Sequence, residues 1–364
     1  MDLNYSEEQK MLREQIQKFC ETEYDFYKRE EIVKSDKDFD PSVWKLFSEQ
    51  GWLSMPFSED SGGFGFGAIE LSILFEEFGK ALVIEPYLAT VVMSGMLLDK
   101  SSYEHKNDLI ENICTGEMHI SLAISEVSNK YNYLAADTAV TNDNVLNGTK
   151  TLVLNGANAN KFIVTCTKNN ELVLVIMDSD SDGISINSFT TIDGQSCAEV
   201  SFENVKINDS SIIATGDEAS NLIKETINTA TLCISAEAVG CMESCYLKTV
   251  EYTKGREQFG QPISNFQVLQ HRMVDMFVES ELAKSLLFKA MLEISSDSDE
   301  KYKHVSALKS HVGSSGKLSA QDAVQLHGGM GVSEELMIGH YLKKMISIDA
   351  LFGNADYHLK TFSS

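Results

Sequence analysis

Arg256-Glu257-Gln258-Phe259-Gly260-Gln261-Pro262-Ile263, continued by Phe266-Gln267 and Gln270-His271-Arg272, and then Gln325-Leu326-His327-Gly328-Gly329-Met330-Gly331, are the stretches on which the reading of this chain turns. The first carries two of the four arginines, Arg13, Arg29, Arg256 and Arg272, in a chain whose formal net charge is −24. A ligand with an anionic group needs a local cation on such a surface, and a guanidinium supplies a planar fork suited to phosphate. The second stretch pairs Gly328 with Gly329, which lets a ligand approach the main chain because neither residue has a side chain. Phe259 adds a flat apolar face. Arginine fork, bare backbone and aromatic face together suit a dinucleotide. Each alone is weaker: a Gly-Gly after a helix is usually a helix stop, and an arginine beside a glycine is usually a surface charge.

Outward from these motifs the texture changes twice. From about Asp217 to the end the apolar spacing is helical, predicting helices over about 223–254, 264–294, 301–326 and 337–362, with Ser295 to Glu300 as a polar loop. Between about 119 and 213, short alternating segments such as Phe162 to Cys166 and Leu172 to Ile176 are separated by Asn147-Gly148 and Asn155-Gly156, which predicts an antiparallel β-domain. Residues 1 to about 118 read as helices. Ser6-Glu7-Glu8-Gln9 forms a capping box ahead of Met11, Leu12, Ile16 and Phe19, and further helices are expected around 43–49, 68–78 and 87–98. Gly62 to Gly67 has no strand before it and reads as an inter-helix loop rather than a nucleotide loop.

Composition excludes several classes. The acidic balance argues against nucleic-acid binding. No apolar run reaches the roughly 18 residues of a membrane span. The start, Met1 to Glu8, has no basic region followed by an apolar stretch, so a cytoplasmic location is expected. The seven cysteines are scattered and free of CxxC spacing, which fits free thiols; no metal is expected, Cys241 and Cys245 lacking a second ligand pair.

With these motifs on the page, the chain resembles the acyl-CoA dehydrogenase family over essentially its whole length; Gly51-Trp52-Leu53 and Gly62-Gly63-Phe64-Gly65 also look like the family's first domain. The resemblance implies a multidomain α and β fold: an N-terminal helical domain (1–118), a middle antiparallel β-domain (119–213) and a C-terminal four-helix bundle domain (217–364). It implies FAD as cofactor, α,β-desaturation of an acyl-CoA thioester, and an electron-transfer flavoprotein as acceptor. It assigns the ADP half of FAD to Arg256, Gln258, Phe259, Gln325, Gly328 and Gly329, and further to Gln267, reaching across a subunit interface to a flavin seated mainly in the neighbour.

The chain also departs from the family. Most members carry a glutamate before a glycine near the C-terminus as the base. Here Gly353 matches the glycine, and the glutamate position is Phe352. Other members carry the base on the first long C-terminal helix; that position is about Ala230. The Trp-Ile-Thr that faces the flavin is Leu152-Val153-Leu154, and of the Thr-Glu-Pro-Gly run only Ser125-Glu126 is kept, Ser125 retaining one contact. One half of the FAD site is intact and the other degraded. The expectation is a hetero-oligomer with a second acyl-CoA dehydrogenase chain, in the manner of the small subunits of two-gene bacterial enzymes. The alternatives are an active homo-oligomer with its base relocated to Glu237 or Asp349, and a scaffold that holds no FAD.

Overall fold

The computed structural model describes residues 5–35, 37–296 and 300–364. The helices are α1 (Glu7–Thr22), α2 (Phe26–Lys34), α3 (Pro41–Glu49), α4 (Ala68–Ala81), α5 (Met96–Lys100), α6 (Lys106–Cys114), α7 (Gly216–Gly255), α8 (Gln267–Ser295), α9 (Lys301–His311), α10 (Lys317–His327), α11 (Met337–Ala350) and α12 (Ala355–Ser363). The strands are β1 (Ile120–Ala123), β2 (Ala139–Val140), β3 (Val145–Leu154), β4 (Lys161–Lys168), β5 (Glu171–Asp178), β6 (Ile184–Thr190), β7 (Ser196–Lys206) and β8 (Ile212–Thr215). Helices, then sheet, then helices is the order expected. The chain divides into two compact units: Met1–Glu30 with Gly67–Val83 and Thr231–Ser364, and Glu31–Phe66 with Ile84–Ala230.

The second unit is built on the sheet, ordered β6-β7-β3-β2-β4-β5-β8, with β1 also paired to β4. Most pairs are antiparallel. The exceptions are β1 and β2, which both run parallel to β4, so the sheet is mixed rather than purely antiparallel. Alternation places Leu146, Phe162, Val164, Val175, Val200 and Phe202 in one core. Into that core Lys150 brings its amine: the side chain is fully buried, Nζ donates to Glu126 Oε1 at 2.7 Å and to Thr165 Oγ1 at 2.8 Å. The Glu126 carboxylate also accepts Thr138 N at 3.0 Å, Asp137 N at 2.6 Å and Asn129 Nδ2 at 2.8 Å. A buried charge persists only when paired and hydrogen-bonded, and here both conditions hold.

In the helical unit, Ser6 and Gln9 form the capping box of α1. Ile16 and Phe19 are buried as the spacing predicts, but Met11 is 67% exposed. Arg13 bridges Glu76 at 2.8 Å and Glu77 at 2.9 Å on α4. Where α4 meets α7 the main chains touch. A Cβ on Gly79 would lie 2.0 Å from the Glu237 carbonyl oxygen, and one on Gly240 would lie 1.9 Å from that of Glu76. Glycine alone permits this separation.

Three helical expectations are refined. The helix expected over 87–98 is a π-helical stretch, Leu88–Gly95, running into α5. The span 301–326 is α9 and α10 joined by a π-turn at Val312–Gly316. The span 337–362 is broken into α11 and α12, because Phe352 (φ +57°) and Gly353 (φ +115°) take left-handed conformations that no helix continues through. Of the loop expected over 295–300, residues 297–299 lie outside the described residues. Among the described residues no helix is long and apolar enough to cross a membrane.

Candidate functional site

The two motifs quoted first converge at the ends of α7 and α10. One turn before Arg256, the Tyr252 ring stacks on His327, with centroids 4.1 Å apart, and Tyr252 OH donates to the His327 carbonyl oxygen at 3.4 Å. His327 immediately precedes Gly328. Burial lowers the His327 pKa, against the Ala323 carbonyl, which its Nδ1 meets at 2.8 Å. Sequence reasoning assigned no role to this stacked pair, and an aromatic one turn ahead of the arginine was its only trace. Arg272 does not join the group; it bridges Asp322 at 3.1 Å and ties α8 to α10.

Arg256, Gln258, Phe259, Gln267, Gln325, Gly328 and Gly329 are all exposed. Arg256 heads a two-stranded hairpin in which Gln258 pairs with Gln261. Phe259, at the tip of its turn, is 93% exposed with φ +56°. Among the described residues the Arg256 guanidinium has no ion-pair partner. Gly328 adopts φ +60°, ψ −138°, a conformation open essentially to glycine, and a Cβ at either Gly328 or Gly329 would meet nothing within 4 Å. An unpaired guanidinium and an open, side-chain-free backbone are what a pyrophosphate requires, so these residues fit the ADP half of a dinucleotide.

The C-terminal turn is closed to such chemistry. Phe352 is buried at 5% exposure. Its carbonyl oxygen accepts from His358 Nε2 at 3.1 Å, while Ser306 Oγ lies 3.2 Å from Nδ1. Burial and the nearby Lys309 push the His358 pKa down to about 4, so this imidazole is neutral. The Lys309 amine donates to the carbonyl oxygens of Gly353 at 2.7 Å and Asp349 at 3.2 Å. A Cβ on Gly353 would collide with Tyr357 at 2.4 Å.

The two carboxylates considered as relocated bases are both occupied. Glu237 is 5% exposed and paired with Lys344 Nζ at 2.9 Å. Asp349 pairs with Lys317 at 2.7 Å and accepts the Ala355 N–H that begins α12 at 3.0 Å. Ala230 is fully buried.

In the sheet unit, Ser125 is half-buried and its carbonyl oxygen accepts from Thr151 N at 2.8 Å. Leu154, which stands where the resemblance expects a hydroxyl, is 8% exposed and lines a recess together with Ile84, Glu85, Leu88, Asn155 and Ser196. Among the described residues no group of three or more His, Cys, Asp or Glu side chains is arranged to hold a metal ion.

Comparison with known proteins gives the class of this fold. The N-terminal, middle and C-terminal domain models of the acyl-CoA dehydrogenases match residues 6–117, 121–205 and 220–363, and the chain belongs to that family. It is 27% identical over 358 residues to the probable acyl-CoA dehydrogenase YngJ of Bacillus subtilis (strain 168), covering 94% of this chain and 93% of that one. The fold matches PigA, solved with FAD and proline, at TM-score 0.92 and 22% identity over 100% of this chain and 98% of that chain. It matches the ChsE4–ChsE5 complex from Mycobacterium tuberculosis at TM-score 0.89 and 22% identity, over 100% and 98%.

Proposed function

We propose that this chain is an FAD-binding subunit of an acyl-CoA dehydrogenase, lending the ADP-binding half of a shared FAD site to a partner chain that supplies the flavin seat and the base. The observation that carries the reading is the combination of an open Arg256 and Gly328-Gly329 cradle with a base position filled by buried Phe352. The carboxylates that stand in for a base, Glu237 and Asp349, are tied up in ion pairs.

In this reading Arg256 would hold the pyrophosphate, its planar fork suiting phosphate oxygens, Gln258 and Gln325 would donate beside it, and Phe259 would pack on the adenosine. When bound, FAD supplies the acceptor for the hydride that leaves the β-carbon of the acyl thioester. The α-proton is weakly acidic and its removal needs a placed carboxylate, which the partner provides. The acceptor of the electrons would be an electron-transfer flavoprotein. The solved ChsE4–ChsE5 complex supports a two-chain assembly, and PigA with FAD supports the cofactor. Two copies of each chain is the arrangement that closes with two-fold symmetry.

The test is expression of the chain alone and with a second dehydrogenase chain, each followed by gel filtration and flavin absorbance. The co-expressed complex is expected to be yellow and active, and the chain alone colourless. A yellow, fully active oligomer of this chain alone overturns the proposal. A colourless, stable complex leaves the chain as a scaffold.

A further inference from the structure

Arg256 and Gly328 lie far apart in sequence, and both stand on exposed segments. Arg256 opens a short hairpin, and a Cβ on Gly328 or Gly329 would meet nothing within 4 Å. A ligand that needs a guanidinium and a bare main chain at once binds well only if their spacing is set beforehand, because ordering loose groups on binding costs affinity. A contact between the two segments has to set that spacing.

Tyr252, in the last turn of α7, makes such a contact. Its carbonyl oxygen accepts from Arg256 N at 2.9 Å, and the Arg256 carbonyl oxygen accepts from Ile263 N at 2.8 Å, so the main chain at Arg256 is fixed relative to Tyr252. The Tyr252 ring stacks on His327 with centroids 4.1 Å apart and planes inclined by 24°. His327 is buried, and its ring is fixed in turn. A carbonyl only accepts, so Nδ1 carries the hydrogen and donates to the Ala323 carbonyl oxygen at 2.8 Å. The next residue is Gly328, whose N–H donates to the Gln325 carbonyl oxygen. Two side chains therefore join the arginine segment to the glycine pair. The hydroxyl reaches the His327 carbonyl oxygen only at 3.4 Å, beyond the usual range for an O–H donor, so the stacked ring carries the link.

We infer that Tyr252 is a positioning residue for the dinucleotide, fixing the spacing between Arg256 and Gly328-Gly329 through its stack on His327. The inference rests on the cofactor reading above and assigns within it a role to a residue that acts through others. Ordinary packing between two helix ends would give the same stack, but it would leave cofactor affinity independent of the ring.

The experiment titrates FAD into the co-expressed complex after its flavin has been stripped, reading affinity from the quenching of flavin fluorescence. Backbone hydrogen exchange across Gly328–Val332 is followed by mass spectrometry, with circular dichroism as the folding control. Tyr252→Leu is expected to weaken FAD binding roughly three- to tenfold, the range typical of an aromatic pair, and to quicken exchange in that segment. Tyr252→Phe keeps the ring and is expected to restore both. His327→Gln keeps a donor toward Ala323 and loses the ring, so it is expected to match Tyr252→Leu and serves if that variant fails to fold. The two changes combined should cost no more than either alone, since they break one contact. Unchanged FAD affinity in Tyr252→Leu, or a loss that Tyr252→Phe shares, overturns the inference. A complex that takes up no FAD even with both rings in place overturns the cofactor reading instead; exchange across Gly328–Val332, measured on this chain, then still decides whether Tyr252 holds that segment.

Discussion

Removing the Glu126 carboxylate is expected to be the most costly single change in the sheet unit. Four donors converge on it: Lys150 Nζ, Asn129 Nδ2, and the backbone N–H groups of Asp137 and Thr138. In Glu126→Ala the Lys150 amine stays fully buried and keeps only Thr165 Oγ1. Breaking a buried pair from one side costs about 3–5 kcal/mol. Lys150→Met removes the charge instead and leaves Glu126 with three donors, so the cost is smaller, about 1–3 kcal/mol. The double variant should be more stable than Glu126→Ala alone. Urea unfolding followed by circular dichroism reads all three. The carboxyl also sets an acid limit. Burial pushes its pKa up, but the bonds from Lys150 and from the Asp137 backbone outweigh this and hold it below the ordinary carboxylate value. A depressed carboxylate stabilises above the unfolded-state pKa and is lost as pH falls through the folded-state pKa. Glu126→Ala should therefore flatten the acid limb of the stability profile. A Glu126→Ala loss below about 1 kcal/mol, or one smaller than that of Lys150→Met, refutes the reasoning.

Arg256→Ala should weaken flavin binding by the assembled complex roughly 30-fold, corresponding to about 2 kcal/mol, and so lower the flavin retained after gel filtration, with the circular dichroism unchanged. Arg256→Lys should restore only part of it, because an ammonium lacks the planar fork. Phe352→Glu alone should yield no dehydrogenase turnover in the isolated chain, since Leu154 still stands where the family resemblance expects a hydroxyl; turnover by this variant would contradict the account of the sheet unit. Burial lowers the Lys309 pKa from 10.5 to about 8, and the Lys317 charge acts in the same direction while Asp349 opposes it. The unfolded chain therefore binds more protons between those values, and stability should rise with pH across that window, a rise that Lys309→Met abolishes in parallel denaturation curves.

Much of the architecture was legible because it is written in local pattern. The Ser6–Gln9 capping box, the helical periodicity of the last third and the alternation of Phe162 to Cys166 all rest on near neighbours in sequence. The parallel pairing of β1 and β2 with β4 was not legible, since alternation is the same in both strand directions. The break between α11 and α12 was signalled only by Gly353; Phe352 gave no hint of a left-handed backbone. Met11 fits the apolar stripe of α1 yet faces outward. In the candidate site, the arginine and glycine motifs were visible, but their convergence through Tyr252 and His327 required the fold. The occupation of Glu237 by Lys344 joins residues far apart in sequence, and no spacing rule reaches that far.

The crossing of α4 and α7 restricts how this chain can diverge. Most helix contacts drift in evolution by exchange, a larger side chain on one side answered by a smaller one opposite. Here that exchange is closed, because what faces Gly79 is the main chain at Glu237 and what faces Gly240 is the main chain at Glu76. A carbonyl cannot be trimmed by substitution, so neither glycine has a second-site suppressor on the opposite helix. A lineage that loses one of them must shift a helix axis, and with it Arg13's bridges to Glu76 and Glu77 on one side and the Glu237–Lys344 pair on the other.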